Sequence, residues 1–445
     1  MVPAPAPVPL LLRWQGLLAG LPAGRLGAHL PLLAGWILCA LMAGLPLVTR
    51  AGLSLLIAAS ALLWVVWALR TPPGRLGTIN TWLLLVIAVA VVATGFSPVP
   101  KAALVGLFKL LSYLSVYALM RQLLASAPAW WDRLVGALLA GELVTSVIGI
   151  RQLYEAPGAL ARWSDNNSVA EGTVRIYSTL ENPNLLGGYL LPILPLAVVA
   201  LLRWRGRGRR LFALASLVLG LVALVLTYSR GAWMGMVASL GLLGLLLVLR
   251  QTRDWPPLWR RLFPLLLLAG ATVALVLLVT QVEPLRVRVM SLVAGREDSS
   301  NNFRMNVWTS ALAMIQDRPW IGIGPGNSAF NLIYPLYQQP KFNALSAYSI
   351  PLELLVEAGI PGLLAGLGLL LSAVKVGLGQ WRSSAPLALP CLAAVAVFAG
   401  LGVQGLTDTI FFRPEVQLIA LFSLATLAAA AAAPVSPEPE PVPCD

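Results

Sequence analysis

Residues 211–229 read LFALASLVLGLVALVLTYS, an uncharged stretch held between Arg209-Arg210 and Arg230. Leu262 to Val282 is a second stretch without a charge. Each is close to the roughly 20 apolar residues needed to cross a hydrocarbon core about 30 Å thick. The rest of the chain keeps this character: 58% of its 445 residues are hydrophobic and 11% are charged, where soluble domains carry about 25% charged residues. So many such runs exclude a large soluble helical protein and predict an all-α polytopic membrane protein.

Apolar runs between charged or Pro/Gly-rich breaks predict about twelve transmembrane helices, near 30–48, 51–69, 78–96, 102–120, 133–150, 185–202, 211–228, 232–249, 262–282, 351–373, 386–406 and 415–433. The bundle so defined, 30–433, follows an N-terminal segment, 1–29, in which residues 10–21 can form an interfacial stretch. Met1 to Pro9 is proline-rich and has no basic segment, unlike a cleaved signal peptide. The tail, 434–445, is proline-rich and acidic, and is expected to be disordered.

Lysine and arginine crowd the short loops of one side, most densely at Arg203-Trp204-Arg205-Gly206-Arg207-Gly208-Arg209-Arg210 and again at Arg250, Arg253, Arg260 and Arg261. That excess marks the cytoplasmic side of a bacterial inner-membrane protein. Both termini are then expected in the cytoplasm, and the long segments 151–184 and 283–350 on the outer face. The net charge of +13 reads as this orientation signal and not as a nucleic-acid footprint. Cys39 and Cys391 fall inside spans and Cys444 in the tail, so neither a disulfide nor a cysteine-based metal site is expected. The chain calls for no metal and no cofactor.

Three arginines stand beside turns or helix ends: Thr173-Val174-Arg175, Ser229-Arg230-Gly231 and Phe303-Arg304-Met305. A guanidinium group presents a planar fork of donors that suits phosphate, carboxylate or bicarbonate. If Arg175, Arg230 and Arg304 converge, they form a cationic pocket at the outer lipid boundary, to which a helix N-terminus adds amide donors. The alternative is that each contacts lipid headgroups separately. Within 283–350, Val307, Trp308, Ala311, Leu312 and Ile315 recur at helical spacing, which predicts an amphipathic helix stopped before Pro319. It would either shield the bundle or roof a site.

Asn182-Pro183-Asn184 reads as the cap of a helix beginning near Leu185, with Gly187 and Gly188 allowing close helix packing. Gly322-Ile323-Gly324-Pro325-Gly326-Asn327 lacks the lysine and Ser/Thr closure of a nucleotide loop and reads as a rigid turn. Lys109 lies about 12 Å into its span at 1.5 Å per residue, and Glu142 is similarly placed on the next one. An unpaired intramembrane charge costs several kcal/mol, so the two are predicted to pair. Glu353 and Glu357 share one helix face at i, i+4. They can cap and pair with arginine, act as acid or base, or bind a coupling cation. Asp408 and Arg413 can pair across the end of the eleventh span, and Gln404 is expected to bond to another helix.

These motifs together resemble the O-antigen ligase and polymerase superfamily. Arg175-Ile176-Tyr177-Ser178-Thr179-Leu180-Glu181-Asn182-Pro183-Asn184 resembles its Asn-Pro-Asn segment, and Thr227-Tyr228-Ser229-Arg230-Gly231-Ala232-Trp233 its Ser-Arg-Gly turn. Arg304 to Trp308, with Asp317-Arg318-Pro319 and the Gly322 to Asn327 run, resembles its outer-loop signature. The resemblance covers roughly 170–365 and implies a GT-C-like bundle with an outer cavity. It departs at one point. The ligases carry Ala-His-Asn where this chain has Ala347-Tyr348-Ser349, and the only histidine here is His29. The Ala-Tyr-Ser-Ile-Pro-Leu-Glu version resembles the cyanobacterial IctB-type branch, named for bicarbonate transport.

Two functions follow. One is inorganic-carbon (bicarbonate) accumulation, with the arginines binding the anion. The other is a metal-independent glycosyltransferase, with the arginines gripping a polyprenyl-diphosphate-linked glycan and Glu353 or Glu357 supplying the base. Membrane lipids are the expected surroundings in both, and nucleic acid is not a partner.

Overall fold

The computed structural model describes residues 23–71, 76–154, 175–281, 283–290 and 295–432. The segment 10–21, the tail 434–445, the Thr173-Val174 pair and Cys444 lie outside the described residues, as does most of 151–184.

The described chain is helical, with short 3-10 turns between helices. The helices are α1 (Ala23–Gly44), α2 (Arg50–Ala68), α3 (Thr78–Gly95), α4 (Pro100–Ser126), α5 (Trp130–Arg151), α6 (Pro183–Arg203), α7 (Arg207–Leu226), α8 (Arg230–Gln251), α9 (Pro257–Gln281), α10 (Glu283–Met290), α11 (Ser299–Asp317), α12 (Asn327–Ile333), α13 (Ile350–Gly379), α14 (Ala388–Gly405) and α15 (Pro414–Ala432). Each of the twelve predicted spans coincides with one of them. Ten are long and apolar enough to cross a membrane, and the apolar part of α1, His29–Gly44, is shorter. The chain is a multi-pass membrane protein.

Boundaries shift where local chemistry dictates. The first span stops at Gly44 and not near 48, because Leu45-Pro46 turns the chain, with Leu47 and Val48 N–H both returning to the Gly44 carbonyl. Thr49 then caps α2 by accepting from Gly52 N at 3.4 Å. At the centre stands α6, buried on almost every side despite Pro192 and Pro195. It packs against α7, α8 and α14, while α8 and α14 make the most extensive helix pair. Large apolar side chains such as Leu55, Phe108 and Leu266 are exposed on the bundle's outside, as a hydrocarbon surround permits.

α13 is broken where the long loop reaches it. Gly359 has φ 63° and ψ −163°, outside helical geometry, and Pro361 has no N–H to return to the Glu357 carbonyl. The freed groups bond to the glycine-rich turn instead. Ile323 N donates to Val356 O and Gly324 N to Glu357 O, each at 2.9 Å, while Ile360 N donates to Pro319 O at 2.8 Å. A Cβ on Gly322 (φ +70°) would lie 2.5 Å from the Glu357 carbonyl carbon. The Gly322–Asn327 run is therefore a rigid turn that completes a helix break.

Candidate anion-binding site

The three arginines reach one region from three different elements. Arg175 precedes a 3-10 turn (Ser178–Leu180) and is tied to the α6 and α7 ends: its Nε donates to Thr227 O at 2.8 Å and its Nη2 to Asn184 Oδ1 at 2.6 Å. Asn184 is held in turn because Asn182 Oδ1 caps α6, accepting from Asn184 N at 2.8 Å and Leu185 N at 3.2 Å. Gly187 lets α6 press on the neighbouring turn, since a Cβ there would lie 2.8 Å from Ala232 Cβ.

Arg230 opens α8. The chain reverses just before it, with Tyr228 in the left-handed region at φ 49° and Ser229 N bonded to Thr227 Oγ1 at 3.2 Å. Its Nη2 donates to Asp298 Oδ1 at 2.8 Å, with side-chain exposures of 5% and 0%. Asp298 also caps α11, accepting from Asn301 N at 3.0 Å. One carboxylate thus fixes both the arginine and the start of the helix above it.

Arg304 lies on α11 in line with Val307, Ala311 and Met314, the stripe this helix buries. The predicted face is rotated: Leu312 is 50% exposed, and Ser310, outside the predicted apolar stripe, is buried. Turning this stripe inward is what brings Arg304 into the interior. Its Nε is buried and has no hydrogen-bond partner. Burial lowers the Arg304 pKa, opposed chiefly by the field of Asp408, while Arg230 repels it.

Asp408 completes the group. It is buried in the connection between α14 and α15, and its Oδ1 accepts from Thr409 N at 2.8 Å. Burial raises its carboxyl above the usual range, against the pull of Arg304, the Thr409 and Ile410 amides, and Arg175. Asp408 makes no ion pair with Arg413, the pairing the sequence suggested; it is buried in the fields of Arg304 and Arg175. The other buried carboxylate, Asp298, is bonded to Arg230. Headgroup contact in open lipid does not describe Arg230, which is enclosed.

Tyr348 borders the site. It takes the left-handed φ of 50°, its ring stands edge-on to Phe303 at 5.4 Å, and its carbonyl accepts from Trp308 Nε1 at 3.4 Å. Burial and the Asp408 carboxylate raise its pKa, with Arg304 opposing. Ser346 and Thr409 share a hydrogen bond of 2.5 Å that ties this loop to the Asp408 connection.

Glu353 and Glu357 are occupied otherwise. Glu353 Oε2 accepts from Ala347 N at 2.5 Å and Glu357 Oε1 from Gly326 N at 2.7 Å. Both carboxylates hold the long loop onto α13.

Lys109 and Glu142 do not pair. Glu142 faces α7, where a Cβ on Gly220 would lie 2.6 Å from its Oε1, and that oxygen accepts from Ser146 Oγ at 2.6 Å. Lys109 is exposed, 5.7 Å from the Tyr113 ring centroid, in the fields of Arg413, Glu415 and Glu357. The helices carrying them follow one another in the chain, but α4 packs mainly on α15 and α2, and α5 on α1 and α7. Gln404 does not bond across helices: its Nε2 is buried without a partner, against Gly188.

Sequence reasoning missed Asp298. Its signal was the run Asp298-Ser299-Ser300-Asn301, an N-cap pattern directly ahead of α11.

Compared with known proteins, residues 215–367 match the family model described as O-Antigen ligase. No curated protein matches the chain. The matched segment holds Arg230, Asp298, Arg304 and Tyr348, while Arg175, Asn184 and Asp408 join them from outside it. Over residues 215–367, about a third of its length, the chain is similar to the O-antigen ligase family.

Proposed function

We propose that the chain is a metal-independent membrane glycosyltransferase of the ligase type, acting on a polyprenyl-diphosphate-linked glycan. The observation that carries this reading is Arg304 Nε, a buried donor without an acceptor inside an arginine cluster. Buried donors in native proteins are almost always satisfied, and this one also stands in the fields of Arg230 and Asp408, which supports a ligand oxygen there. Arg304 stands in the fields of Arg230, Asp298 and Asp408, a charged setting that suits an anionic ligand.

In the reaction, the acceptor hydroxyl oxygen attacks the anomeric carbon of the donor sugar. The bond from that carbon to the phosphate oxygen breaks, and its electron pair leaves on the diphosphate, which the arginines stabilise. The hydroxyl proton goes to a carboxylate. Glu353 and Glu357 hold the long loop onto α13, so we assign this role to Asp408, which lies in the fields of Arg304 and Arg175. The basic residues crowding the other end of the bundle support an inner-membrane orientation with the site on the outer face and both termini cytoplasmic.

A second reading, IctB-like bicarbonate handling through the same arginines, rests on Tyr348 standing where the ligases carry histidine. One pair of measurements separates the two. Purified protein in nanodiscs is titrated with polyprenyl diphosphate and with polyprenol, and the same protein in liposomes is assayed for bicarbonate flux. The transferase reading expects diphosphate-dependent binding, lost in Arg230→Ala and Arg304→Ala, and no flux. Equal affinity for the two lipids overturns it. Flux lost in Arg230→Ala establishes the second.

A further inference from the structure

We propose that the end of the bundle opposite the arginine site carries a binding site for the headgroup of an anionic phospholipid. α8 starts at Arg230 and ends at Gln251, which at 1.5 Å per residue places its far end about 33 Å from the chamber. There a cavity of about 860 Å³ opens between the ends of α8 and α13 and the start of α9, walled by Arg253, Arg260, Arg261 and Arg382. One carboxylate, Asp254, also lines it and lies 3.1 Å from Arg253. Four guanidinium groups thus face a single acid. Arg260, Arg261 and Arg382 make no ion pair among the described residues. A second cavity, of about 520 Å³, shares Arg253 and Arg382 with the first.

The wall is built, not incidental. Arg250 is committed to structure: its Nη1 and Nη2 donate to the carbonyls of Trp381 and Ser383 at 2.9 and 2.8 Å. This locks the connection after α13 and presents Arg382, whose guanidinium lies 4.7 Å from the Trp381 ring centroid.

The chemistry favours a lipid over a soluble anion. Between the arginines the lining is apolar, with Leu249, Pro264 and Leu265. That surface continues along α9, where Leu266, Leu268 and Val273 are exposed. Of the long helices, α9 has the slightest hold on the bundle, packing mainly on α8, so its apolar surface is left to face acyl chains. Trp255 and Trp259 are half exposed beside it, at 43% and 52%, the position aromatic residues take at a bilayer interface. Basic pockets between membrane helices suit phosphate-bearing headgroups, and the volume lies in the roughly 300–1,000 Å³ range of small-molecule sites.

The test uses the full chain, delipidated in detergent and titrated by native mass spectrometry with phosphatidylglycerol, phosphatidylcholine and inorganic pyrophosphate. Phosphatidylglycerol is expected to bind tightest. Arg260→Gln/Arg261→Gln changes two exposed side chains that make no hydrogen bond among the described residues, so folding is preserved. Each arginine near a bilayer surface is worth about 1 kcal/mol, so the pair should weaken phosphatidylglycerol about 25-fold and leave phosphatidylcholine unchanged. Arg382→Gln provides a second, independent loss, and Arg304→Ala should leave phosphatidylglycerol binding intact. Equal affinity for the two phospholipids, an unchanged affinity in both arginine variants, or pyrophosphate binding as tightly as the lipid each overturns the proposal.

Discussion

The two ends of α8 handle arginine in opposite ways. At its start, Arg230 is 5% exposed and bonded to Asp298, which is fully buried. Just past its finish, Arg253 is 52% exposed beside an Asp254 that is 80% exposed. Removing a charge from water costs several kcal/mol unless partners replace the solvent, so the buried end must supply carboxylates and the exposed end need not. The buried arginines are consequently fixed in position with one donor left over. The exposed ones keep their charge available to whatever approaches from the membrane surface.

This contrast can be broken most severely at Asp298. Asp298→Ala removes the carboxylate bonded to Arg230 and the α11 cap, and should cost about 3–5 kcal/mol, read as a large drop in thermal stability in detergent. Asp298→Asn keeps the cap acceptor and should recover part of it. If Asp298→Ala unfolds like the parent, the buried end is not held by charge compensation.

Arg304→Ala comes next. Hydrogen bonds to charged groups contribute about 1.5–3 kcal/mol, so polyprenyl diphosphate affinity should fall between roughly tenfold and a hundredfold. Stability should fall as well, though less than in Asp298→Ala, because Arg304 offsets part of the burial cost of the Asp408 carboxylate.

pH sharpens the contrast further. Burial raises the Asp408 carboxyl above the usual range. As pH falls through that raised value, the chamber loses a negative charge and diphosphate binding should tighten, by about tenfold for one charge at close range. Asp408→Asn should show the tighter binding at all pH values and abolish the transition. For stability the sign is set by the raised folded value. The contribution of Asp408 is fully present below the unfolded pKa of about 3.9, and is lost as pH rises through the folded one.

The smallest effect belongs to the exposed end. Asp254→Ala should change thermal stability by no more than about 1 kcal/mol, the usual worth of a surface pair. A loss comparable to that of Asp298→Ala would erase the distinction between the ends.

Much of the fold was legible because hydrocarbon imposes a length: runs such as 211–229 and 351–373 had to be helices of nearly one thickness. The ends were less so, since Pro46 and Thr49 act through local bonds that hydropathy does not register. In the site, the three arginines stood out against an apolar background, yet their partners did not. Asp298 looked like an ordinary helix cap, and Asp408 had a nearer cation in Arg413. The Lys109–Glu142 expectation failed for a related reason: neighbours in the chain are not neighbours in the bundle when each helix packs mainly on others. Glu353 and Glu357 looked catalytic by type and position, and only the fold showed them accepting amides of the loop above.

The sequence alone determined that this chain crosses a membrane many times, that three motifs single out Arg175, Arg230 and Arg304, and that Gly322 to Asn327 turns sharply. Periodicity and cost carry that information, because an apolar solvent constrains each segment by itself. Tertiary structure decided which acids meet which arginines, which face of α11 turns inward, and which donor remains unfilled. Those depend on side chains brought together from remote parts of the chain, where the balance of burial against pairing is settled only once all the helices are in place.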